Sequence, residues 1–235
     1  MRQILASHTS DFQNREYFDY AGACGGFIDK YCFPFARGRI FNTVEKDRGQ
    51  YDESCKIFWA SGTAFLTRTQ IFKEIGVFDE TLFAHMEEID YHWKCQLGGY
   101  EVWSNPESIV YHKGGVTLAY DSPYKTFLNH RNSLIMLLTN YSLILSLVLF
   151  IPRVVLQLVS ILKDLLSFRI FHALSQIRGT ILAIIRIDIL IKRRIEIRKI
   201  RKVKDLTLLK EVIYRGSIVW DYFIRSKKIF SKIMD

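Results

Sequence analysis

The feature that most constrains this chain is a nearly unbroken aliphatic stretch from Tyr141 to Leu162. About 20 apolar residues are enough for a helix that crosses a bilayer. Pro152 and Arg153 stand in the middle of this stretch, however, and a charge is costly in hydrocarbon. We therefore expect helices that lie in the membrane interface rather than a spanning helix. Two alternatives stay open: a true span, and a helical hairpin packed on a soluble domain.

Charge is distributed unevenly along the sequence. Residues 1–140 contain 14 Lys or Arg and 17 Asp or Glu, a net charge of −3, whereas residues 141–235 contain 19 and 7, a net charge of +12. The densest cations are Lys192, Arg193, Arg194, Arg198, Lys199, Arg201, Lys202 and Lys204. A basic cluster beside an aliphatic segment suits an anionic membrane surface. The acidic first part is a poor binder of nucleic acid, so we expect no nucleic-acid partner.

The cysteines and the first residues indicate a protein that faces the cytosol. Cys24, Cys32, Cys55 and Cys95 include no C-x-x-C pair, so we expect reduced, buried side chains. Residues 1–10 contain one Arg and no apolar run, which is not the pattern of a secretory signal peptide.

The first 140 residues have a mixed α and β pattern. Residues 17–41 are rich in glycine and aromatic residues and are expected to form an ordered loop; their glycines lack the G-x-G-x-x-G spacing of a dinucleotide site. Residues 57–66 are predicted to form a buried strand or strand pair in which Gly62 permits a close backbone approach. A short helix is expected from Thr69, as N-cap, to Ile75, with Gly76 ending it.

A second helix is predicted from Glu87 to Leu97, because apolar residues recur every four positions and two glycines follow. After it, residues 100–103 and 108–112 are predicted to be two strands about a turn at Asn105–Pro106. Residues 125–138 are expected to be helical, whereas the spacing in residues 181–204 fits either a helix or a strand.

Acidic residues cluster at the start of the second predicted helix. Glu87, Glu88 and Asp90 occupy its first turn, where the helix dipole favours negative charge and is expected to keep the carboxylates ionised. Taken alone, these acids could simply complement that dipole. A di-iron site is excluded because its E-x-x-H pattern would need Glu at the position of Ile89.

The order of these motifs resembles that of the inverting family 2 glycosyltransferases, particularly their rhamnosyltransferase-like branch. The matching pieces are Phe58–Gly62, Gly76–Glu80, the acidic helix, the strand after Gly98–Gly99, His112 and Arg131–Asn132. The resemblance implies an α/β fold: part of a GT-A domain in residues 1–132, followed by a helical, basic, membrane-associated region in residues 133–235. It also implies transfer of a sugar from a nucleotide-sugar donor to a lipid-linked or polysaccharide acceptor, at the cytoplasmic face of the membrane.

The family's motif assigns roles to individual residues. An acceptor hydroxyl must lose its proton as it attacks the anomeric carbon, and a carboxylate can take that proton. The family's base maps onto Glu88, with Glu87 as the alternative because this sequence has Glu where the family usually has Asp. The resemblance further implies His112 as a ligand of Mg²⁺ or Mn²⁺, which would neutralise the departing nucleotide. The acceptor-binding residues implied are Trp59, Ser61, Gly62, Asp79 and Asp90, whereas His85 and His92 are expected to be acceptor-side or packing residues.

The family's nucleotide-binding strands and its Asp-x-Asp motif precede everything matched here. We therefore expect the chain to be incomplete or to need a partner, and to bind its donor weakly by itself. Two other functions stay open: a catalytically inactive, membrane-associated remnant or interaction protein, and a metal-dependent hydrolase that uses the same acids.

Overall fold

The computed structural model describes residues 3–113 and 121–234. The chain divides into two compact units: Met1–Val77, Tyr91–Gly114 and Ile200–Asp235 form the first, and Phe78–Asp90 with Gly115–Lys199 form the second. Both helices and strands are present, so the predicted α/β class is confirmed at that level.

All of the described strands lie in the first unit. They are β1 (Gln3–Asp11), β2 (Gly26–Asp29), β3 (Pro34–Ala36), β4 (Arg39–Ile40), β5 (Thr43–Val44), β6 (Lys56–Ile57), β7 (Phe65–Leu66), β8 (Glu101–His112) and β9 (Ile213–Tyr214). One sheet has the order β6-β8-β1-β7 and the other the order β5-β4-β3-β2-β9. The segment 17–41, predicted as an ordered loop, therefore contains strands of the second sheet.

The helices are divided between the units. They are α1 (Thr69–Ile75), α2 (Glu87–Leu97), α3 (Pro123–Asn140), α4 (Leu143–Leu166), α5 (Ile170–Ile185), α6 (Ile187–Ile200), α7 (Asp205–Glu211), α8 (Ile218–Phe223) and α9 (Ser231–Met234). The bounds predicted for α1 and α2 are confirmed, although Arg68 rather than Thr69 is the N-cap of α1. Gly76 ends α1 at a φ of 95°, a conformation that glycine adopts without a Cβ clash.

The long pair β1 and β8 is parallel and forms the centre of the first sheet. The two strands predicted about Asn105–Pro106 are in fact one strand. The register passes from Ser7 opposite Asn105 to His8 opposite Ile109, so residues 106–108 form an irregularity, bridged by a 2.8 Å hydrogen bond between Ser7 Oγ and Ser108 Oγ. Because β1 pairs on both sides of the irregularity, the proline interrupts the pairing locally without ending the strand.

Residues 200–234 belong to the first unit and complete its second sheet. β9 pairs in parallel with β2, and buried Asp29 in β2 accepts a hydrogen bond from the backbone N–H of Ile218 at 3.0 Å. The ring of Phe230 lies 5.1 Å from that of Phe27. These contacts hold the C-terminal residues against strands from the first part of the sequence. The predicted boundary between residues 132 and 133, by contrast, falls inside α3.

The second unit is built from helices. Residues 181–204, ambiguous in the sequence, are helical in α5 and α6, and α4 continues through Pro152 without a break. Leu82, Leu134, Ile135 and Ala183 form its buried core. Among the described residues, α4 is the one helix long and apolar enough to cross a membrane, and 22% of its most apolar window is buried in the protein.

The stability of the first unit depends on a close approach between Gly26 and Trp59. An ideal Cβ on Gly26 would lie 1.9 Å from Cε2 of Trp59, whose indole N–H donates to the carbonyl of Phe27 at 2.9 Å. We expect Gly26→Ala to lower the free energy of unfolding by about 2 kcal/mol or more through overpacking. Urea denaturation measures this loss.

Gly98→Ala is the matched control for that substitution. Its Cβ would meet only the mobile end of Ile75, at 2.4 Å from Cδ1, besides backbone carbonyl oxygens at 3.2 Å and beyond. Its unfolding free energy should therefore change by less than about 1 kcal/mol. Equal losses in the two variants would contradict the rigid placement of Trp59.

Candidate functional site

The segment from Asp79 to Asp90, here called the acid segment, lies in the second unit and leads into the first turn of α2. Phe83, His85 and Met86 have φ angles of 64°, 62° and 74°. Non-glycine residues rarely adopt positive φ, and each such residue costs on the order of 1–3 kcal/mol. Strain of this kind persists only where the surrounding structure fixes the backbone, and it is concentrated at functional sites.

Two neighbouring residues of α3 fix this backbone. The side-chain amide of buried Asn132 donates to three carbonyl oxygens, those of Leu82 at 2.8 Å, Ala84 at 3.0 Å and His85 at 2.7 Å. Arg131 donates to the carbonyl of Thr81 at 2.7 Å. The Arg131–Asn132 pair noted in the sequence therefore braces the acid segment.

A buried cation from α6 holds both ends of the acid segment. The guanidinium of Arg193, 1% exposed, forms ion pairs with Asp79 and, at 2.6 Å, with Asp90. It also donates to Thr139 Oγ1 at 3.2 Å, and Asn140 donates to Asp90 at 2.8 Å. Burial lowers the pKa of Arg193, but the two carboxylates outweigh that effect and raise it overall.

This arrangement changes the interpretation of three sequence features. Arg193 was grouped with a basic cluster suited to an anionic surface, but it is internal. Asp79 and Asp90, predicted to bind acceptor, direct carboxylate oxygens toward Arg193. In the structure they hold the acid segment in place.

The pKa values of both glutamates shift in the direction opposite to the one that the helix dipole favours, and for Glu88 the expected ionisation at neutral pH is wrong. Burial raises the pKa of Glu87, and burial together with the neighbouring charge of Glu87 raises the pKa of Glu88 to about 8. Desolvation thus outweighs the favourable helix terminus. Glu88 therefore changes from its protonated to its ionised form near pH 8.

Two polar atoms of this segment are buried without a protein partner among the described residues. Glu87 Oε2 and His85 Nε2 are buried and have no hydrogen-bond partner within the described part of the chain. Burial, followed by the charge of Lys125, lowers the pKa of His85 to about 4, so its imidazole is neutral at pH 7. Buried polar atoms normally have partners, and a polyhydroxylated molecule could supply them.

A second set of candidate side chains lies in the first unit, at the end of β8. Nδ1 of His112 lies 2.8 Å from Oδ2 of Asp19, which also accepts from the backbone N–H of Ala21 at 2.9 Å. Asp19 is 1% exposed, whereas the His112 side chain is 28% exposed. In the neutral tautomer that carries its proton on Nδ1, the N–H faces the carboxylate and Nε2 has the lone pair, as in histidines that bind metals.

The predicted acceptor residues of the first unit have different surroundings. Trp59 is 4% exposed and is held by Phe27, and Ser61 is 6% exposed and donates to the carbonyl of Ala21. Gly62 is exposed in a turn and has no positive φ. Trp59 and Ser61 thus have structural contacts, and Gly62 is the accessible member of the three.

The residues present fit a divalent cation only in part. Within residues 3–113 and 121–234, no group of three or more His, Cys, Asp or Glu side chains is arranged to hold a metal ion. His112 offers one donor, Nε2, with Asp19 behind it on Nδ1, and Mg²⁺ commonly takes other ligands from water and substrate phosphates. His92 does not contribute, since it is fully buried with its ring 4.8 Å from that of Phe65.

Sequence reasoning missed Asp19 and the bracing role of Asn132 and Arg193. Asp19 stands in a glycine-rich and aromatic-rich segment with no motif of its own. Asn132 was noted within a matching motif, but its contacts depend on the path of residues 81–85. Each of these side chains acts through partners that are distant in sequence.

No family model matches the chain, and no curated protein matches its sequence. The likeness to family 2 glycosyltransferases therefore remains a hypothesis drawn from the order of motifs.

Removing the charge of Arg193 should destabilise the second unit strongly. Arg193→Met leaves buried Asp90 and partly buried Asp79 without this cation, and breaking a buried ion pair in this way costs about 3–5 kcal/mol. The free energy of unfolding, measured by urea denaturation at pH 7, should fall by that amount.

The adjacent exposed cation provides the control. Lys192→Met should change the unfolding free energy by no more than about 0.5 kcal/mol, as is usual for surface substitutions. Similar small effects of both substitutions would show that Arg193 does not hold the acid segment.

Proposed function

We propose that the chain is the acceptor-side part of a metal-dependent, inverting family 2 glycosyltransferase of the GT-A type. It transfers a sugar from a nucleotide-sugar donor to a lipid-linked or polysaccharide acceptor at the cytoplasmic face of the membrane. The observation that carries this proposal is Glu88: a carboxyl group in the first turn of a helix, with a pKa of about 8, in a segment whose strained backbone is braced from several sides.

Glu88 is the proposed base. As the acceptor oxygen forms its bond to the anomeric carbon, the bond from that carbon to the donor phosphate oxygen breaks and the hydroxyl proton passes to the Glu88 carboxylate. The nucleoside diphosphate leaves with the electron pair of the broken bond. A base is most effective when its pKa lies near the working pH, a condition that Glu88 meets and an ordinary exposed glutamate does not.

Glu87 and His85 are proposed to contact the acceptor. Each has a buried polar atom in the acid segment without a protein partner in the part of the chain that the structure describes. The imidazole of His85 is neutral, so it can donate a hydrogen bond to a sugar hydroxyl or accept one from it. Asp79 and Asp90 support the same segment through Arg193. Gly62 keeps its predicted acceptor-side role, and Trp59 and Ser61 support the backbone beside it.

His112 is the proposed protein ligand for Mg²⁺ or Mn²⁺, with Asp19 as its positioning residue. Asp19 fixes the tautomer and leaves Nε2 free for coordination. A divalent cation, when bound, would neutralise charge on the leaving diphosphate.

The test is donor consumption by the protein expressed in its native coding context, with membranes as the source of acceptor. Glu88→Gln should lower kcat by about 100-fold or more, because general-base catalysis contributes about 10²–10⁴-fold. In the unmodified protein, kcat should rise with pH through about pH 8, since the base works only when deprotonated. The Gln variant should lose that rise.

Glu87→Gln is the matched control, because it removes a neighbouring carboxylate of the same helix turn. Its kcat should fall by less than about tenfold if Glu88 is the base. His112→Gln should raise the concentration of Mn²⁺ needed for half-maximal activity. Full activity of Glu88→Gln would remove the assignment of the base, and activity that needs no divalent cation would remove the role of His112.

A further inference from the structure

The helix α4 has an inverted distribution of polarity. Its buried residues are Ser146, Leu149, Arg153 and Gln157, a mostly polar ridge along one face. Twelve of its residues are exposed; eleven are Leu, Ile or Val, and the twelfth is Lys163 in the last turn. A helix on the surface of a water-soluble protein has the opposite arrangement.

The next helix, α5, repeats this inversion. It buries His172 and Gln176 together with small residues, and seven of its eight exposed residues are Ile, Leu or Phe. Phe168 in the connecting turn is 88% exposed, Phe171 is 75% exposed and Ile151 of α4 is 70% exposed. Together α4, the turn and α5 present an apolar surface, here called the hairpin face, far larger than scattered apolar residues of a soluble protein would give.

Polar side chains behind the hairpin face bond to one another. Arg153 donates to Gln157 at 2.8 Å and to Ser133 of α3 at 3.0 Å, and Gln157 donates to Gln176 of α5 at 3.0 Å. Gln176 donates in turn to Asp164 at 2.6 Å. The charge of Arg153, which suggested that this helix avoids hydrocarbon, is therefore directed into the protein, as ionisable residues of membrane-embedded helices are.

The position of α3 determines how such a hairpin could meet a bilayer. α3 packs on the polar side of both α4 and α5, and on it Arg131 and Asn132 hold the acid segment. One side of the hairpin is therefore covered by protein, and the other side alone can contact lipid. At 1.5 Å per residue, the 16 residues of α5 extend about 24 Å, less than the roughly 30 Å of a hydrocarbon core.

The charge around the hairpin face favours an anionic partner. Residues 143–199 contain ten Lys or Arg and three Asp or Glu; Arg153 and Arg193 are buried, which leaves eight cations outside the protein interior. At the turn, Arg169 pairs with Asp121 at 2.5 Å, and Arg186 beyond α5 pairs with Asp188 at 2.8 Å. Lys163, Arg178 and Lys192 are exposed cations of this region. Each cation near an anionic leaflet adds about a factor of five in affinity, the equivalent of about 1 kcal/mol.

We propose that the α4–α5 hairpin lies flat in one leaflet of an anionic bilayer, with the hairpin face in the acyl region and the polar ridge turned toward α3. The protein is then monotopic, and neither helix crosses the membrane. The proposal specifies how the protein binds the membrane at which the proposed function places it, and in this one respect it rests on the proposed function. It requires no donor, acceptor or catalysis.

Vesicle flotation tests the lipid contact. The whole chain should float with vesicles that contain phosphatidylglycerol and bind at least tenfold more weakly to pure phosphatidylcholine. The double substitution Ile151→Glu and Phe171→Glu should reduce binding to the anionic vesicles at least tenfold, because it places two carboxylates on the hairpin face.

Leu66→Glu with Val77→Glu is the matched control. These residues are 69% and 67% exposed and lie in the first unit, so the same change of charge should leave binding within twofold of the unmodified chain. Circular dichroism checks that both double variants are folded. Equal loss in the two variants, or no loss in either, would overturn the assignment of the hairpin face.

Thiol labelling distinguishes a flat hairpin from a span. Ser142→Cys and Ser167→Cys place exposed thiols at the two ends of α4, and the unmodified chain gives the background from its own cysteines. A membrane-impermeant maleimide added outside preformed vesicles should label both positions. Protection of Ser167→Cys alone would show a spanning α4 and overturn the proposal.

Sedimentation without lipid tests whether a second copy of the chain, rather than a bilayer, covers the hairpin face. Self-association that Ile151→Glu abolishes, combined with no vesicle binding, would mean that the hairpin face is a dimer interface. None of these three assays contains donor or acceptor, so their failure would leave the proposed transfer reaction untouched. Loss of the transfer reaction would likewise leave membrane binding untouched.

Discussion

The geometry of the acid segment depends on the ion pairs that the buried guanidinium of Arg193 forms with Asp79 and Asp90. The guanidinium joins carboxylates at both ends of that segment, and Asn140 and Thr139 satisfy further hydrogen-bonding capacity around it. A buried ion pair contributes little net stability compared with an apolar core, because desolvation offsets the attraction. Its effect is to impose one geometry, and here it fixes the start of α2 while Asn132 holds the strained turn before it. Glu88 stands in the first turn of α2, within the segment that this frame fixes, and burial together with the charge of Glu87 raises its pKa.

In the second unit, the contacts of α3 explain why polar residues of α4 and α5 are buried while their apolar residues are exposed. α3 has polar partners on two sides: the backbone of residues 81–85 and the ridge of Arg153 and Gln157. Apolar residues of α4 and α5 are consequently left to face outward. A transferase that modifies lipid-linked acceptors would benefit from such a layout, because the helix that braces the proposed base also supports the surface proposed to lie in lipid.

The parts of the fold that sequence could predict are those set by local pattern. The spacing of apolar residues and the following glycines are sufficient for α1 and α2. β1 was missed because its pairing with β8 joins residues about a hundred positions apart, and β9 because two residues carry no pattern. The irregularity at Pro106 was taken for a turn, since proline usually ends a strand and only the partner strand shows that pairing resumes.

The candidate site was predictable to a similar extent. The acids at the start of α2 were found from their position, and their likeness to a family motif suggested a base. The ionisation of Glu88 was misjudged because burial depends on residues that pack from elsewhere in the chain. Arg193 looks like its neighbouring cations, and its partners are 103 and 114 positions away. The inverted polarity of α4, in contrast, was present in the sequence: Ser146, Arg153 and Gln157 fall on one helical face.

The most direct measurement of the central claim is the titration of Glu88 itself. Carbon-13 NMR of the side-chain carboxyl groups, with Glu88→Gln used to assign the resonance, reports the midpoint for this residue. A buried carboxyl held in the frame described above should titrate near pH 8. A midpoint near 4.5, the ordinary value for glutamate, would show that the carboxyl is solvated and would contradict the account of the acid segment as the seat of a base.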